Sequence, residues 1–194
     1  MTGVRTDAVA RFRAVAAEQS CTTHEPCPPE RVAALVAERC AALGGLVVVS
    51  STEPSFETDA LVDALHGAGV EVLLPDDPDW RTRIPTAAIG LTAACVAVAE
   101  LGVFAVAAGV GRPRAVSLLP ETHICLVTAD SVVETFAEGL GRVAGGRTPG
   151  ADLPSALLWI GGPSRTGDLE MIVTLGVHGP RAVEIVVVGA GTFG

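Results

Sequence analysis

Between Leu157 and Pro180 the chain gathers residues that could do chemistry. Ser164, Arg165, Thr166, Asp168 and Glu170 place five polar side chains within seven positions, and His178 follows. Apolar runs bracket them: Ala156–Ile160 on one side and Val183–Val188 on the other, both short enough for buried strands. Gly161, Gly162 and Pro163 end the first run. Hydroxyls and a planar guanidinium at the start of a helix form an anion seat, because a helix N-terminus offers unpaired N–H groups and partial positive charge. Asp168 suits the N-cap of such a helix, Leu169, Ile172 and Val173 its apolar face, and Gly176 its end. Turns between core strands of an open α/β sheet are where ligands bind. The same residues admit a structural reading, in which Asp168 caps the turn and Arg165 pairs with Asp168 or Glu170 on the surface. His178 suits an acid, a base, a ligand hydrogen-bonder or a satisfied turn histidine.

Three other groupings compete with this one. Glu100 beside Gly102 lies in a turn between apolar runs, and a half-buried carboxylate there could serve as a nucleophile toward an acyl group. Cys21, His24 and Cys27 offer three ligand atoms at a spacing foreign to standard zinc sites, so no metal is expected. Gly109–Arg114 is glycine-rich with two arginines but lacks the spacing of a P-loop or dinucleotide fingerprint.

Gly162-Pro163-Ser164-Arg165-Thr166-Gly167-Asp168-Leu169-Glu170, followed by Leu175-Gly176-Val177-His178-Gly179-Pro180, resembles the signature of the LUD family of LutC-type lactate-utilisation proteins. That pattern has Ala where this chain has Gly167, and usually Ile at Leu169. Ser117-Leu118-Leu119-Pro120 with His123-Ile124 is similar to a second family segment. Of the family's Glu-Thr-Gly-Thr turn, Glu100-Leu101-Gly102-Val103 keeps the Glu and the Gly. The resemblance implies a NagB/RpiA/CoA-transferase-like, Rossmann-like fold. It also implies a subunit that acts with iron–sulfur partners in oxidising L-lactate to pyruvate. The ligand-binding candidates are then Gly162, Ser164, Arg165, Thr166, Asp168 and His178, and the catalytic candidates Glu100 and His178. Two alternatives stay open: a stand-alone acyl- or CoA-transferase-like enzyme using Glu100, and a sensor or assembly protein that binds an organic acid.

Composition bounds the function. The formal charge is −9 and all thirteen cationic side chains are arginine, so no basic stripe exists for nucleic acid. An acidic chain that holds an anion must concentrate its arginines locally. Five scattered cysteines provide no clustered run for an iron–sulfur centre, so the chain is expected to carry no redox cofactor of its own. No uninterrupted apolar stretch reaches membrane-spanning length and no leader is visible, which predicts a cytoplasmic protein.

The elements that must position these residues alternate between helix and strand. Residues 3–18 and the segment opened by Pro28-Pro29 and closed by Gly44-Gly45 have helical spacing. Residues 1–45 thus read as an N-terminal helical segment packed on an α/β domain over 46–194. Leu46–Val49 reads as a parallel strand, followed by hydroxyls at Ser50, Ser51 and Thr52, then a helix from near Thr58 and a strand at Val70–Leu74. Pro75–Trp80 reads as an exposed loop, with Trp80 placed to pack over the sheet. Gly90 and Glu100–Gly102 break the apolar stretch from Ala87 to Ala108. Cys95–Ala99 and Val103–Ala107 then form a hairpin within an otherwise parallel sheet. His123–Thr128 is a strand, and Val132–Leu140 a helix capped by Asp130 or Ser131. The pattern predicts an α/β fold with a mainly parallel sheet.

Overall fold

Phe12 and Ala16, four positions apart, fall on one face of a helix and are fully buried. They anchor α1 (Thr2–Glu18) to the core. The computed structural model describes residues 2–49, 58–145, 154–167 and 173–189. After α1 come β1 (Thr22–Thr23), α2 (Val32–Leu43), β2 (Leu46–Val49), α3 (Thr58–Gly67), β3 (Val72–Leu73) and the short α4 (Trp80–Arg83). Next are β4 (Ala87–Ala93), β5 (Val96–Val98), β6 (Val103–Ala108), α5 (Ala115–Leu118), β7 (Thr122–Thr128), β8 (Val132–Val133) and α6 (Phe136–Gly145). The chain closes with β9 (Ala156–Ile160), β10 (Arg165–Gly167), β11 (Val173–Leu175) and β12 (Ala182–Val188).

Six strands pair in the order β1-β12-β7-β4-β2-β3, every ladder parallel. Both faces are covered, as a parallel sheet requires. Ile124, Leu126, Val186 and Val188 point to the cluster under α2 and α3. Cys125, Val127, Val183, Ile185 and Val187 point the other way, to Phe12 and Ala16 of α1 and Phe104 of β6. The period of two along β7 and β12 therefore divides two apolar layers. Because β1 pairs with β12, the sheet runs through the segment preceding residue 46. Among the described residues, no helix is long and apolar enough to cross a membrane.

A second sheet, β8-β5-β6-β9, packs against the first. It contains the expected hairpin, since β5 and β6 pair antiparallel. The hairpin does not lie within the parallel sheet, however. Ala94 N–H still bonds Leu126 O of β7, whereas Cys95 N–H bonds Ala105 O of β6, so the chain crosses between sheets within one residue. Gly90 is no break: it sits in mid-strand, paired with Val48 on one side and His123 on the other. Trp80 begins the one-turn α4 and, as expected, packs over the sheet, against the cluster of Leu46 and Ile84.

The helix expected from Val132 starts only at Phe136, because Val132 and Val133 pair with β5 as β8. Its cap is Thr135 rather than Asp130 or Ser131. Glu138 N–H donates to Thr135 Oγ1 (3.2 Å) and Thr135 N–H donates to Glu138 Oε2 (3.2 Å), a reciprocal capping box. Glu100 completes it, its Oε1 accepting the Phe136 N–H at 2.6 Å. Glu100→Ala should cost about 1 kcal/mol of stability through this lost cap. Thermal melts check the cost, and anion affinity measured beside them should not move.

Candidate functional site

The central motif wraps the end of α1. Ser20 N–H bonds Ala17 O (2.9 Å) and Cys21 N–H bonds Ala16 O (3.1 Å), with Ser20 in the left-handed region at φ 67°. This is the Schellman termination of a helix. The Gln19 carbonyl accepts from Arg165 Nη2 at 3.0 Å. Helix C-termini carry partial negative charge, so a guanidinium there is stabilised. Gly162, at φ 139°, makes the approach possible, because a Cβ would stand 2.5 Å from Gln19 O.

Residues 168–172, where the helix capped by Asp168 is expected to begin, lie outside the described residues, and a hairpin of two antiparallel strands, β10 and β11, brackets them. Arg165–Gly167 and Val173–Leu175 pair antiparallel, Gly167 opposite Val173, and Gly176 follows a strand. Among the described residues, the motif brings no helix N-terminus to the site. Ser164 ties the base of the hairpin: its N–H bonds Pro180 O and its carbonyl accepts Gly176 N–H, both at 2.9 Å. Its Oγ accepts the His178 N–H at 3.2 Å. Gly176 has φ 78°, and the space a side chain would fill there is taken by the Arg181 stem. That stem carries the Arg181 guanidinium to Glu121 Oε1 at 3.2 Å, an exposed pair.

Arg165 and Arg181 then face one cleft of about 390 Å³, lined also by Ser20, Thr22, Pro163, Ala182 and Val183. It opens at the N-terminal ends of β1 and β12, the reverse of the sheet edge that serves most open α/β sites. The physical reason is connectivity. The apolar runs flanking the motif are not neighbours in one sheet: β9 is a half-buried edge of the small mixed sheet, and β12 is a buried strand of the large one. Two guanidinium groups and two hydroxyls equip this cleft to hold an anion, and among the described residues its lining provides no general base.

The motif residues divide accordingly. Arg165 lines the cleft; Gly162 and Ser164 shape the loop behind it; His178 is exposed and meets Ser164 through its backbone. Thr166 lies in β10 opposite Thr174. Asp168 and Glu170 lie outside the described residues, as do Ser50, Ser51 and Thr52. Glu100 is not brought to the cleft, since its carboxylate caps α6. Arg181, Ser20 and Thr22 carry no motif signal; only Arg181, next to Pro180 at a strand start, could have been noticed. Cys21 is buried, and burial pushes its thiol up to about 11 despite the Arg165 charge. Burial likewise raises Cys27, and His24 Nε2 lies 2.6 Å from Glu184 Oε2. Among the described residues, no group of three or more His, Cys, Asp or Glu is placed to hold a metal ion.

The fold defines the class first: an α/β protein with a mainly parallel central sheet flanked by helices, and a smaller sheet packed on one face. The chain belongs to the LUD domain family, whose profile matches residues 6–188. Lactate utilization protein C of Deinococcus radiodurans is 38% identical over 123 residues, which cover 62% of this chain and 56% of that protein. Lactate utilization protein C of Halalkalibacterium halodurans is 33% identical over 142 residues, 72% of this chain and 62% of that protein. The chain thus spans between 56% and 62% of the length of these two curated relatives. The crystal structure of a DUF162 family protein from Deinococcus radiodurans aligns over 95% of this chain and 98% of that one, with TM-score 0.70 and 24% identity. That likeness speaks for the fold.

Proposed function

We propose that the chain acts in the cytoplasm as a LutC-type component of L-lactate utilisation, holding the carboxylate of a small organic acid. The observation that carries this reading is the cleft that Arg165 and Arg181 both line, in a chain of net charge −9. Turning lactate into pyruvate removes two electrons and needs an acceptor. Iron–sulfur partner subunits supply that acceptor in this reading. The cysteines of this chain favour such a division of labour: Cys21, Cys40 and Cys125 are buried in apolar clusters, where thiols act as small core residues.

Arg165 is the residue to test. A charge-assisted hydrogen bond to a carboxylate contributes about 1.5–3 kcal/mol, so Arg165→Ala should weaken acid binding about tenfold to a hundredfold. Arg165→Lys keeps the charge without the planar fork and should fall between. Calorimetric titration of the three proteins with lactate, pyruvate and phosphate measures this. Unchanged affinity in both folded variants, for a ligand that wild type binds, would sink the anion-site reading. Dye reduction by lactate in the reconstituted mixture tests the partners. Robust activity of the isolated metal-free chain would overturn the division of labour.

A further inference from the structure

We infer that Arg181 is a second anchoring residue of this cleft, and that the preferred ligand carries two anionic groups rather than one. This rests on the reading that the cleft holds an organic-acid carboxylate. The first argument is placement. Arg165 comes from the hairpin and Arg181 from the start of β12, yet both line the same cleft. Neither reaches it by chance of a loose surface chain. Arg165 is held on Gln19 O, and the Arg181 stem fills the space left open at Gly176, while its backbone N–H bonds Glu121 O at 2.9 Å.

The second argument is capacity. A guanidinium has five donors in a fixed fork. Among the described residues, the hydrogen bond from the Arg165 side chain goes to the neutral Gln19 carbonyl. Arg181 meets a carboxylate, Glu121, but both side chains are about two-thirds exposed. Such pairs hold weakly in water, so an incoming carboxylate can share or replace Glu121. The third argument is size. About 390 Å³ falls in the range that houses drug-sized ligands, and a three-carbon monoacid leaves most of it empty. A longer acid bearing a second carboxylate engages both forks.

Calorimetric titration with L-lactate and L-malate, which differ by one carboxylate, tests this. Wild type should bind malate at least about tenfold more tightly than lactate, the effect of one further charge-assisted contact. Arg181→Met keeps the stem against Gly176 and removes the guanidinium. It should abolish the preference, weakening malate binding about tenfold more than it weakens lactate binding. Glu121→Gln, an exposed change that frees Arg181, should strengthen malate binding about threefold and leave lactate binding unchanged. Equal wild-type affinities, or an Arg181→Met loss shared by both acids, would overturn the two-anion inference and leave the carboxylate site standing. Absence of binding by either acid would overturn the carboxylate site, and this inference with it.

Discussion

Replacing Arg39 with alanine is expected to cost about 3 kcal/mol of folding stability, the low end of what breaking a buried ion pair costs. The reason is Glu184. Its carboxylate lies on β12 beneath α2 and is 2% exposed. Arg39 donates Nε to Oε1 and Oε2 at 3.1 and 3.0 Å, and Nη2 to Oε1 at 2.6 Å. His24 Nε2 stands 2.6 Å from Oε2. Truncating Arg39 leaves the buried carboxylate, among the described residues, with His24 alone. The low end applies because the Arg39 side chain is 36% exposed, so water reaches the vacated space. Pairing Arg39→Ala with Glu184→Gln should recover part of the loss, since a neutral amide is cheaper to bury than a charge. Urea unfolding of the single and double variants measures both numbers. A loss below about 1 kcal/mol for Arg39→Ala would show that Glu184 does not depend on it.

Acid should destabilise the protein through His123. The ring is fully buried between the two sheets, with Nε2 2.8 Å from Thr92 Oγ1 and the Phe104 ring centroid 5.9 Å away. Nδ1 has no hydrogen-bond partner among the described residues. Burial disfavours the charged ring and pulls its pKa down to about 4, against 6.5 for an exposed histidine. Above pH 6.5 both folded and unfolded chains keep the ring neutral, so it contributes no pH dependence. As the pH falls from 6.5 to 4 the unfolded chain takes up a proton that the folded chain refuses, and stability falls. The full loss is about 3 kcal/mol, reached near pH 4. Urea midpoints of wild type and His123→Gln between pH 7.5 and 4 isolate it, because the other titrating groups are common to both chains. Parallel pH profiles would show that His123 does not carry this loss.

Local order was legible because burial leaves a period. The β-branched runs at Leu46–Val49, Val103–Ala108 and Val183–Val188 are strands, and the segment after Pro28-Pro29 is a helix closed by Gly44. The long motif from Gly162 to Pro180 also marked the family. Pattern could not tell that residues 165–167 and 173–175 pair as strands, because a few apolar residues spaced by polar ones fit helix and strand alike and pairing made the choice. Nor could it name charge partners. A guanidinium on a flexible stem takes whichever acceptor the fold delivers. Arg165, three residues from Asp168, reaches Gln19 at a separation of 146; Arg39 reaches Glu184 across 145; Glu100 caps a helix 36 residues away. Composition and periodicity alone determined most of the core strands and helices, and of the residues lining the cleft they singled out Arg165. Only tertiary packing decided which arginines share a cleft and which carboxylates are spent holding the fold, because those distances arise after the sheets and helices have stacked.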